Sequence, residues 1–306
     1  MTKNLFGVSW RVHLIDARQV RMSRSRFPWI ALAALAIFTS VAELSLGQSP
    51  DCLGTTSSDN PASRNEIDQG VEAYKNARYA EAISHFDKAT NLAPCLIMAR
   101  VYLATAQAQN VVPGLNTPDN MKIAEEVIAN FQLALAQSPH DVNSLKQVAA
   151  IYLSTKKLDE AREWQKKVLA EDPHDAEAAY SIGVIDWTKA HLNVLNALTA
   201  VALNDDGEGN TQVAPEVLAA IKQQNTDLIA EAMQYLAQAI ADRPNYADAT
   251  AYMNLVYRRK ADTDYDNPML RNEDILLAKE WGKKAMQTRK QDEERKNAEP
   301  LSPRTE

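Results

Sequence analysis

Residues 142–173 read VNSLKQVAAIYLSTKKLDEAREWQKKVLAEDP, and this stretch decides the fold. Its first half carries large, large–small and aromatic residues at helical spacing, and its second half begins with a small residue. These positions are Leu145, Val148, Ala149, Tyr152 and Ala161. Pro139 and Pro173 bound the stretch at an interval of 34 residues. The pattern predicts two helices joined by a tight turn and repeated along the chain.

This pattern resembles the tetratricopeptide repeat (TPR) family, whose repeat is a helix–turn–helix of 34 residues. Proline closes a helical stretch at Pro94, Pro139, Pro173 and Pro244. The resemblance implies an all-α, right-handed solenoid of about five units, each of which buries its apolar face against its neighbours. It also implies a concave surface that binds a protein or a peptide.

The fourth repeat departs from the regular length. Pro173 and Pro244 are 71 residues apart, and the extra residues keep a helical character. We expect two lengthened helices there, the second begun by Pro215, that project as a hairpin beyond the solenoid. The expected divisions are an N-terminal extension and signal peptide (1–47), a linker (48–62), repeats at 63–94, 97–139 (with an inserted loop), 142–173, 176–244 and 247–287, and a disordered charged tail (288–306).

Internal similarity supports a fifth repeat. Residues 161–167 read AREWQKK and residues 278–284 read AKEWGKK, although Asn254 stands where the first helix usually has a small residue. The stretches 180–189 and 252–262 also resemble a group of secreted bacterial TPR proteins with the same inserted fourth repeat. That resemblance supports the architecture and implies no particular activity.

Composition and charge narrow the class of partner. The chain of 306 residues has only nine glycines and is rich in strong helix formers. Its formal charge is −7, and without residues 1–47 it has 27 basic and 38 acidic residues, a charge of −11. Binding to nucleic acid needs clustered Lys and Arg to neutralise phosphates, so an acidic body argues against a nucleic-acid partner.

The N-terminal segment has the layout of a secretory signal. Basic residues within 24–26 precede an apolar run at 29–42, and Ser45 and Gly47 supply the small residues of a cleavage site. We expect export to the periplasm or medium, with cleavage after Gly47. The run is shorter than the roughly 20 residues of a membrane span. Retention of the segment as a membrane anchor is the alternative, and Met22 is a second candidate start.

Cys52 and Cys95 are the two cysteines of the chain. A disulfide between them would join the segment before the first repeat to the end of that repeat, and would stabilise the fold by roughly 4 kcal/mol in the chain-entropy model. The alternative is that Cys95 is a small buried residue and Cys52 a free thiol.

Candidate chemistry is sparse. The pairs His140–Asp141 and His174–Asp175 could suggest an imidazole oriented by a carboxylate, but they are 34 residues apart and follow a proline in successive repeats. Asp141 and Asp175 are better explained as helix caps. Residues 204–209 match the start of a calcium loop, but Pro215 occupies its twelfth position. We therefore expect no catalytic residue, metal or cofactor.

The remaining candidate site is the concave face formed by the first helices of the repeats. Aromatic residues with a few charges suit the capture of an extended peptide or a partner helix. The repeat positions that line this face are Tyr74, Lys75, Lys146, Tyr180, Trp187, Leu255, Arg258 and Arg259. We expect Trp187, Arg258 and Arg259 to form its centre. The alternative is that the aromatic residues pack between repeats.

The expected function is therefore that of an exported, non-enzymatic interaction module with a protein or peptide partner. One alternative is a subunit of an envelope assembly or secretion machine. A second is an enzyme on a helical scaffold, which would need paired carboxylates converging in a pocket.

Overall fold

The computed structural model describes residues 60–298, with side chains as far as Arg295. Within that range the chain forms ten α-helices and no strand. They are α1 (Pro61–Lys75), α2 (Tyr79–Leu92), α3 (Ile97–Ala108), α4 (Pro118–Gln137), α5 (Val142–Ser154), α6 (Leu158–Glu171), α7 (Ala176–Ala200), α8 (Pro215–Asp242), α9 (Ala247–Thr263) and α10 (Pro268–Ala298).

Consecutive helices form pairs, and each pair packs against the next along the chain. We call the first helix of each pair the A helix (α1, α3, α5, α7, α9) and the second the B helix. The predicted all-α solenoid of TPR-like helix pairs is thus confirmed. None of these ten helices combines the length and the apolar character that crossing a membrane requires.

The repeat pattern places its small residues in the core. In every B helix the residue at the first small position is fully buried, because it faces the A helix of its own pair. These residues are Ala82, Val127, Ala161, Ala232 and Ala278. The large residue four positions later is also buried in the first, second and fourth pairs, as Phe86, Phe131 and Leu236.

Close packing within a pair needs one small partner. In the fourth pair the A helix supplies it, since a Cβ built on Gly183 would lie 2.6 Å from Cγ of Leu236. In the fifth pair the sizes are exchanged: Asn254 stands on the A helix and Gly282 on the B helix, where a Cβ would lie 3.2 Å from Nδ2 of Asn254. Asn254 also donates a hydrogen bond to the carbonyl of Ala278. The departure noted at Asn254 is therefore compensated across the pair.

Helix starts follow the expected chemistry. Asp141 caps α5 by accepting from the backbone N–H of Ser144 (3.0 Å), and Asp175 caps α7 by accepting from Ala178 (2.8 Å). Both predicted caps are confirmed. Pro215 is the first residue of α8, as its sequence position predicts.

Two predicted boundaries differ from the structure. Helix α1 begins at Pro61, inside the predicted linker, because Asn60 caps it by accepting from the N–H of Ala62 (3.0 Å). Helix α10 extends to Ala298, so its residues from 288 onward are helical rather than disordered. Lys and Glu are good helix formers, and Lys290 lies 3.8 Å from Glu294 one turn later.

The long hairpin of α7 and α8 also differs from its prediction. Its tip loop, residues 201–214, does not project freely, because it folds back onto α9 and α10. Near the tip, Val194, Leu198, Leu218 and Ile221 form a small apolar core against which Tyr265 packs. The lengthened parts of the fourth and fifth pairs therefore support each other.

Candidate partner-binding face

All eight residues predicted to bind a partner lie on A helices, and they fall into two groups. Three lie on α1 and α5, and five lie on α7 and α9. Tyr74 packs edge to face against Tyr79, with ring centroids 5.4 Å apart, and accepts a hydrogen bond from Nε2 of Gln109 (3.0 Å). Lys75 is exposed at the last position of α1. Lys146 forms an ion pair with the buried carboxylate of Asp175. Tyr74 and Lys146 thus connect neighbouring pairs of helices.

The second group contributes to an aromatic cluster between α7 and α9, which we define as Tyr180, Trp187, Tyr246 and Tyr252. The ring of Tyr252 contacts Tyr180 (5.6 Å between centroids) and Trp187 (5.2 Å), both edge to face. Tyr180 also lies 4.9 Å from Tyr246. All four side chains are partly exposed, so the cluster packs two A helices together while keeping some aromatic surface accessible.

Burial changes the pKa of the tyrosines in the cluster. It raises the pKa of Tyr180, Tyr246 and Tyr252 above the ordinary tyrosine value, so their hydroxyls stay neutral. Arg243 lies over the ring of Tyr246, 4.5 Å from its centroid. The cluster therefore offers apolar faces with neutral hydroxyls at their edges.

Trp187 is held more firmly than a free groove residue would be. Its indole stacks on the imidazole of His191, with centroids 5.0 Å apart and planes 10° from parallel. Nε1 of Trp187 and Nδ1 of His191 are both buried, and neither has a hydrogen-bond partner within the described residues. Burial, and secondly the charge of Arg259, lower the pKa of His191, which favours the neutral imidazole.

Arg259 is a correction to the predicted site, because only 3% of its surface is exposed and it cannot present its charge to a partner. Its Nη2 donates to Oδ1 of Asp205 (2.9 Å), and its Nη1 lies 3.2 Å from Oδ2 of Asp262. Asn210 donates to the other oxygen of Asp262 (2.8 Å). We call Asp205, Asn210, Arg259 and Asp262 the inner layer. It fixes the tip loop to α9.

A second set of polar contacts lies outside the inner layer and is more accessible. Arg258 donates to the carbonyl of Gly207 (2.6 Å) and lies 3.0 Å from Oε1 of Glu208. The other oxygen of Glu208 lies 3.1 Å from Nζ of Lys279. We call Glu208, Arg258 and Lys279 the outer layer. The hydrogen bond from Lys279 is the largest cause that lowers the pKa of Glu208, so this carboxylate is ionised at neutral pH.

The inner layer holds a titratable group. Burial raises the pKa of Asp262 to about 7, although the charge of Arg259 acts in the opposite direction. The pKa of Asp205 is lowered instead: burial opposes ionisation, but Arg259 and the hydrogen bonds from Gly207 and Asn210 together outweigh it. The single buried arginine therefore pairs best with one ionised carboxylate, that of Asp205.

Leu255 lies on α9 between the aromatic cluster and the polar layers in sequence, and is partly exposed. Sequence reasoning found Trp187, Tyr180 and Leu255 on this face but missed Tyr246, Tyr252 and His191. Tyr252 is the first residue of the stretch 252–262, which resembles a group of secreted bacterial TPR proteins. That resemblance could have drawn attention to Tyr252. No sequence periodicity marks His191 or the partners of Arg259.

The histidine pairs do not form a catalytic site. His140 contacts Glu171 (2.9 Å) and His174 contacts Asp242 (2.9 Å), each an exposed imidazole beside a single carboxylate. The hydrogen bond from Asp242 is the main cause that raises the pKa of His174. Among the described residues, no cluster of three His, Cys, Asp or Glu could hold a metal ion.

The residues that suggested a calcium loop have other contacts. Oδ1 of Asp206 accepts from the backbone N–H groups of Glu208 (2.7 Å) and Asn210 (2.9 Å), so it closes the loop on itself.

The predicted signal segment, its cleavage site after Gly47 and Cys52 lie outside the described residues. Cys95 is not a free thiol in the structure. Its pairing with Cys52 stays a prediction.

No known protein-family model matches the chain, and no curated protein matches it. Solved structures do. A crystal structure of MamA protein is 13% identical, covers 79% of this chain and 98% of its own, and has a TM-score of 0.50. A TPR protein of Thermus thermophilus is 18% identical over 64% of this chain and 99% of its own, with a TM-score of 0.34. A TPR protein of Parabacteroides merdae is 14% identical over 72% and 99%, with a TM-score of 0.38.

The similarity to MamA extends to the fold and no further. Together with the 34-residue spacing and the five helix pairs, it identifies the described part of this chain as a TPR-like helical repeat structure.

Proposed function

We propose that this protein is an exported, non-enzymatic interaction module that binds a protein or peptide on the A-helix face of α7 and α9. The observation that supports this most is the aromatic cluster of Tyr180, Trp187, Tyr246 and Tyr252. These four aromatic side chains, on α7, on α9 and at the residue before α9, each keep part of their surface accessible. Tyrosine and tryptophan offer large, rigid contact areas, and interface hot spots are enriched in them.

Leu255 and Arg258 extend this face toward the tip loop. Leu255 is partly exposed on α9, and 27% of the Arg258 side chain is accessible. An apolar centre with a charged rim suits a protein partner, because the apolar contacts supply binding energy and the rim supplies orientation.

Site-specific photocrosslinking tests the location of the partner. A photoreactive amino acid at Leu255 should crosslink a defined partner in cells that produce the protein. The same group at Gln234, an exposed residue on the B helix α8, serves as the control. Equal crosslinking from both positions, or none from Leu255, would contradict the proposed face.

The proposal of export rests on the basic residues and the apolar run at 24–42. N-terminal sequencing of the mature protein should begin at Gln48. A full-length product in the cytoplasm would overturn this part of the proposal. A membrane-bound product that keeps the segment would point to the anchored alternative.

A further inference from the structure

The chain's own tip loop occupies part of the face on which we place the partner. Arg258 was expected to face a partner, yet it binds the carbonyl of Gly207 and the carboxylate of Glu208. Lys279 on α10 binds the same carboxylate from the other side. Glu208 thus lies between two cations that belong to different helices, as a carboxylate ligand from a partner would.

The two polar layers differ in how easily their ion pairs can be broken and replaced by contacts with a partner. The inner layer is buried, with Arg259 and Asp262 at 3% and 0% exposure, so separating its charges would leave an unpaired charge away from water. In the outer layer, 46% of the Glu208 side chain and 52% of the Lys279 side chain are accessible. Exposed ion pairs are worth about 0–1 kcal/mol, because water and salt compensate for their loss. The outer layer can therefore open while the inner layer keeps the loop in place.

From this difference we infer that Arg258 and Lys279 form a carboxylate-binding site for an acidic segment of the partner, and that Glu208 is an internal competitor for it. The inference rests on the proposed function, because it names the partner's chemistry at the edge of the same face. The tip loop itself shows the preferred ligand: residues 205–208 read Asp-Asp-Gly-Glu, and they place a carboxylate and a backbone carbonyl on Arg258.

The aromatic cluster and this carboxylate site would act on one ligand. Trp187 stacks on His191, and the pKa of His191 is affected by both Arg259 and Asp205 of the inner layer. The inner layer thus lies near His191, which contacts the aromatic cluster through Trp187. An extended peptide could place an apolar residue on the cluster and an acidic residue at Arg258 and Lys279.

The test uses a fluorescent pentaglutamate peptide and the intact protein at low ionic strength, where surface charge effects are largest. Glu208→Gln removes the competing charge, so it should bind the peptide about threefold to fivefold more tightly than the wild type. Glu280→Gln is the matched control, since it makes the same change of net charge at an exposed position of α10. It should leave binding within twofold of the wild type.

Adding Lys279→Gln to Glu208→Gln should return binding to the wild-type level or below. Melting curves of all variants should coincide within a few degrees, because the altered side chains are exposed. An equal gain from Glu280→Gln and Glu208→Gln would overturn the inference, since net charge alone would then explain the effect. The inference would also be overturned if Glu208→Gln bound the peptide no more tightly than the wild type.

The outcome is separable from that of the proposed function. If Leu255 crosslinks no partner but Glu208→Gln still gains peptide binding, the binding face is wrong and the carboxylate site stands. If Leu255 crosslinks a partner and Glu208→Gln changes nothing, the carboxylate site alone fails.

Discussion

Helices α1–α6 and helices α7–α10 are built on the same repeat but held together by different means. In the first region apolar residues such as Phe86 and Phe131 fill the space within and between pairs. In the second region the helices are longer, and the buried inner layer around Arg259 holds the tip loop on α9. The charges of the inner layer lie where the helices exceed the length of the regular repeat.

This difference teaches that an extended repeat needs contacts which the repeat pattern does not supply. A buried charge pair contributes less stability than apolar packing, but it compensates for its loss of hydration only when its atoms are placed accurately. The inner layer therefore specifies where the tip loop lies. The loop in turn covers part of the face formed by α9, which connects this structural device to binding.

The largest effect is expected from removing the buried arginine. Arg259→Met leaves Asp205 and Asp262 facing each other without a cation, which should lower the free energy of unfolding by about 3–5 kcal/mol. Arg289→Met is the control, because its partner Asp248 is exposed and the pair should contribute less than about 1 kcal/mol. Urea denaturation of both variants checks this. A loss below about 1 kcal/mol for Arg259→Met would mean that the two regions are held in the same way.

A smaller loss of stability is expected when the small residue of the fifth pair, Gly282 on the B helix, is replaced by a large one. Gly282→Leu should cost about 1–3 kcal/mol, because the new side chain meets Asn254. Adding Asn254→Gly recreates the arrangement of Gly183 and Leu236 in the fourth pair, so it should recover much of that loss. A double-mutant cycle measures the coupling. Simple additivity of the two changes would contradict the proposed exchange.

The third prediction is that the stability of the second region depends on pH. The pKa of Asp262 is about 7 in the folded protein, against an ordinary value near 4. A carboxyl whose pKa is raised on folding contributes stability that is complete below about pH 4 and is lost as the pH rises through about 7. Asp262→Asn should therefore flatten the fall in stability between about pH 4 and 7. Part of the fall should remain, because burial also raises the pKa of Asp274 to about 6.

The sequence predicts the regular part of this molecule well. Helix starts could be predicted because they depend on residues close together in the sequence. Examples are the caps Asp141 and Asp175 and the start of α8 at Pro215. The prediction of a disordered tail was wrong for residues 288–298. A high content of charged residues is also compatible with a helix, because ion pairs between residues one turn apart stabilise it.

The inner layer could not be predicted in the same way. Arg259 and Asp205 are 54 residues apart in the chain, and no period relates them. The exchange at Asn254 was readable in principle, since Gly282 replaces Gln165 between the two similar stretches AKEWGKK and AREWQKK. Recognising it requires knowing that these positions face the small residue of the A helix.

The central claim, that the partner binds the A-helix face of α7 and α9, is tested most directly by comparing two tryptophans of the second region. Both are partly exposed and pack against the same core, but Trp187 is on the A helix α7, whereas Trp281 is on the B helix α10 beneath Lys284. Affinity for the crosslinked partner and melting temperature should be measured on the same preparations of Trp187→Ala and Trp281→Ala. We predict that Trp187→Ala weakens binding by about 2 kcal/mol, roughly thirtyfold, while Trp281→Ala keeps the affinity within about threefold at a similar loss of melting temperature. Unchanged affinity in Trp187→Ala, or an equal loss in both variants, would contradict the account and leave Trp187 as a packing residue.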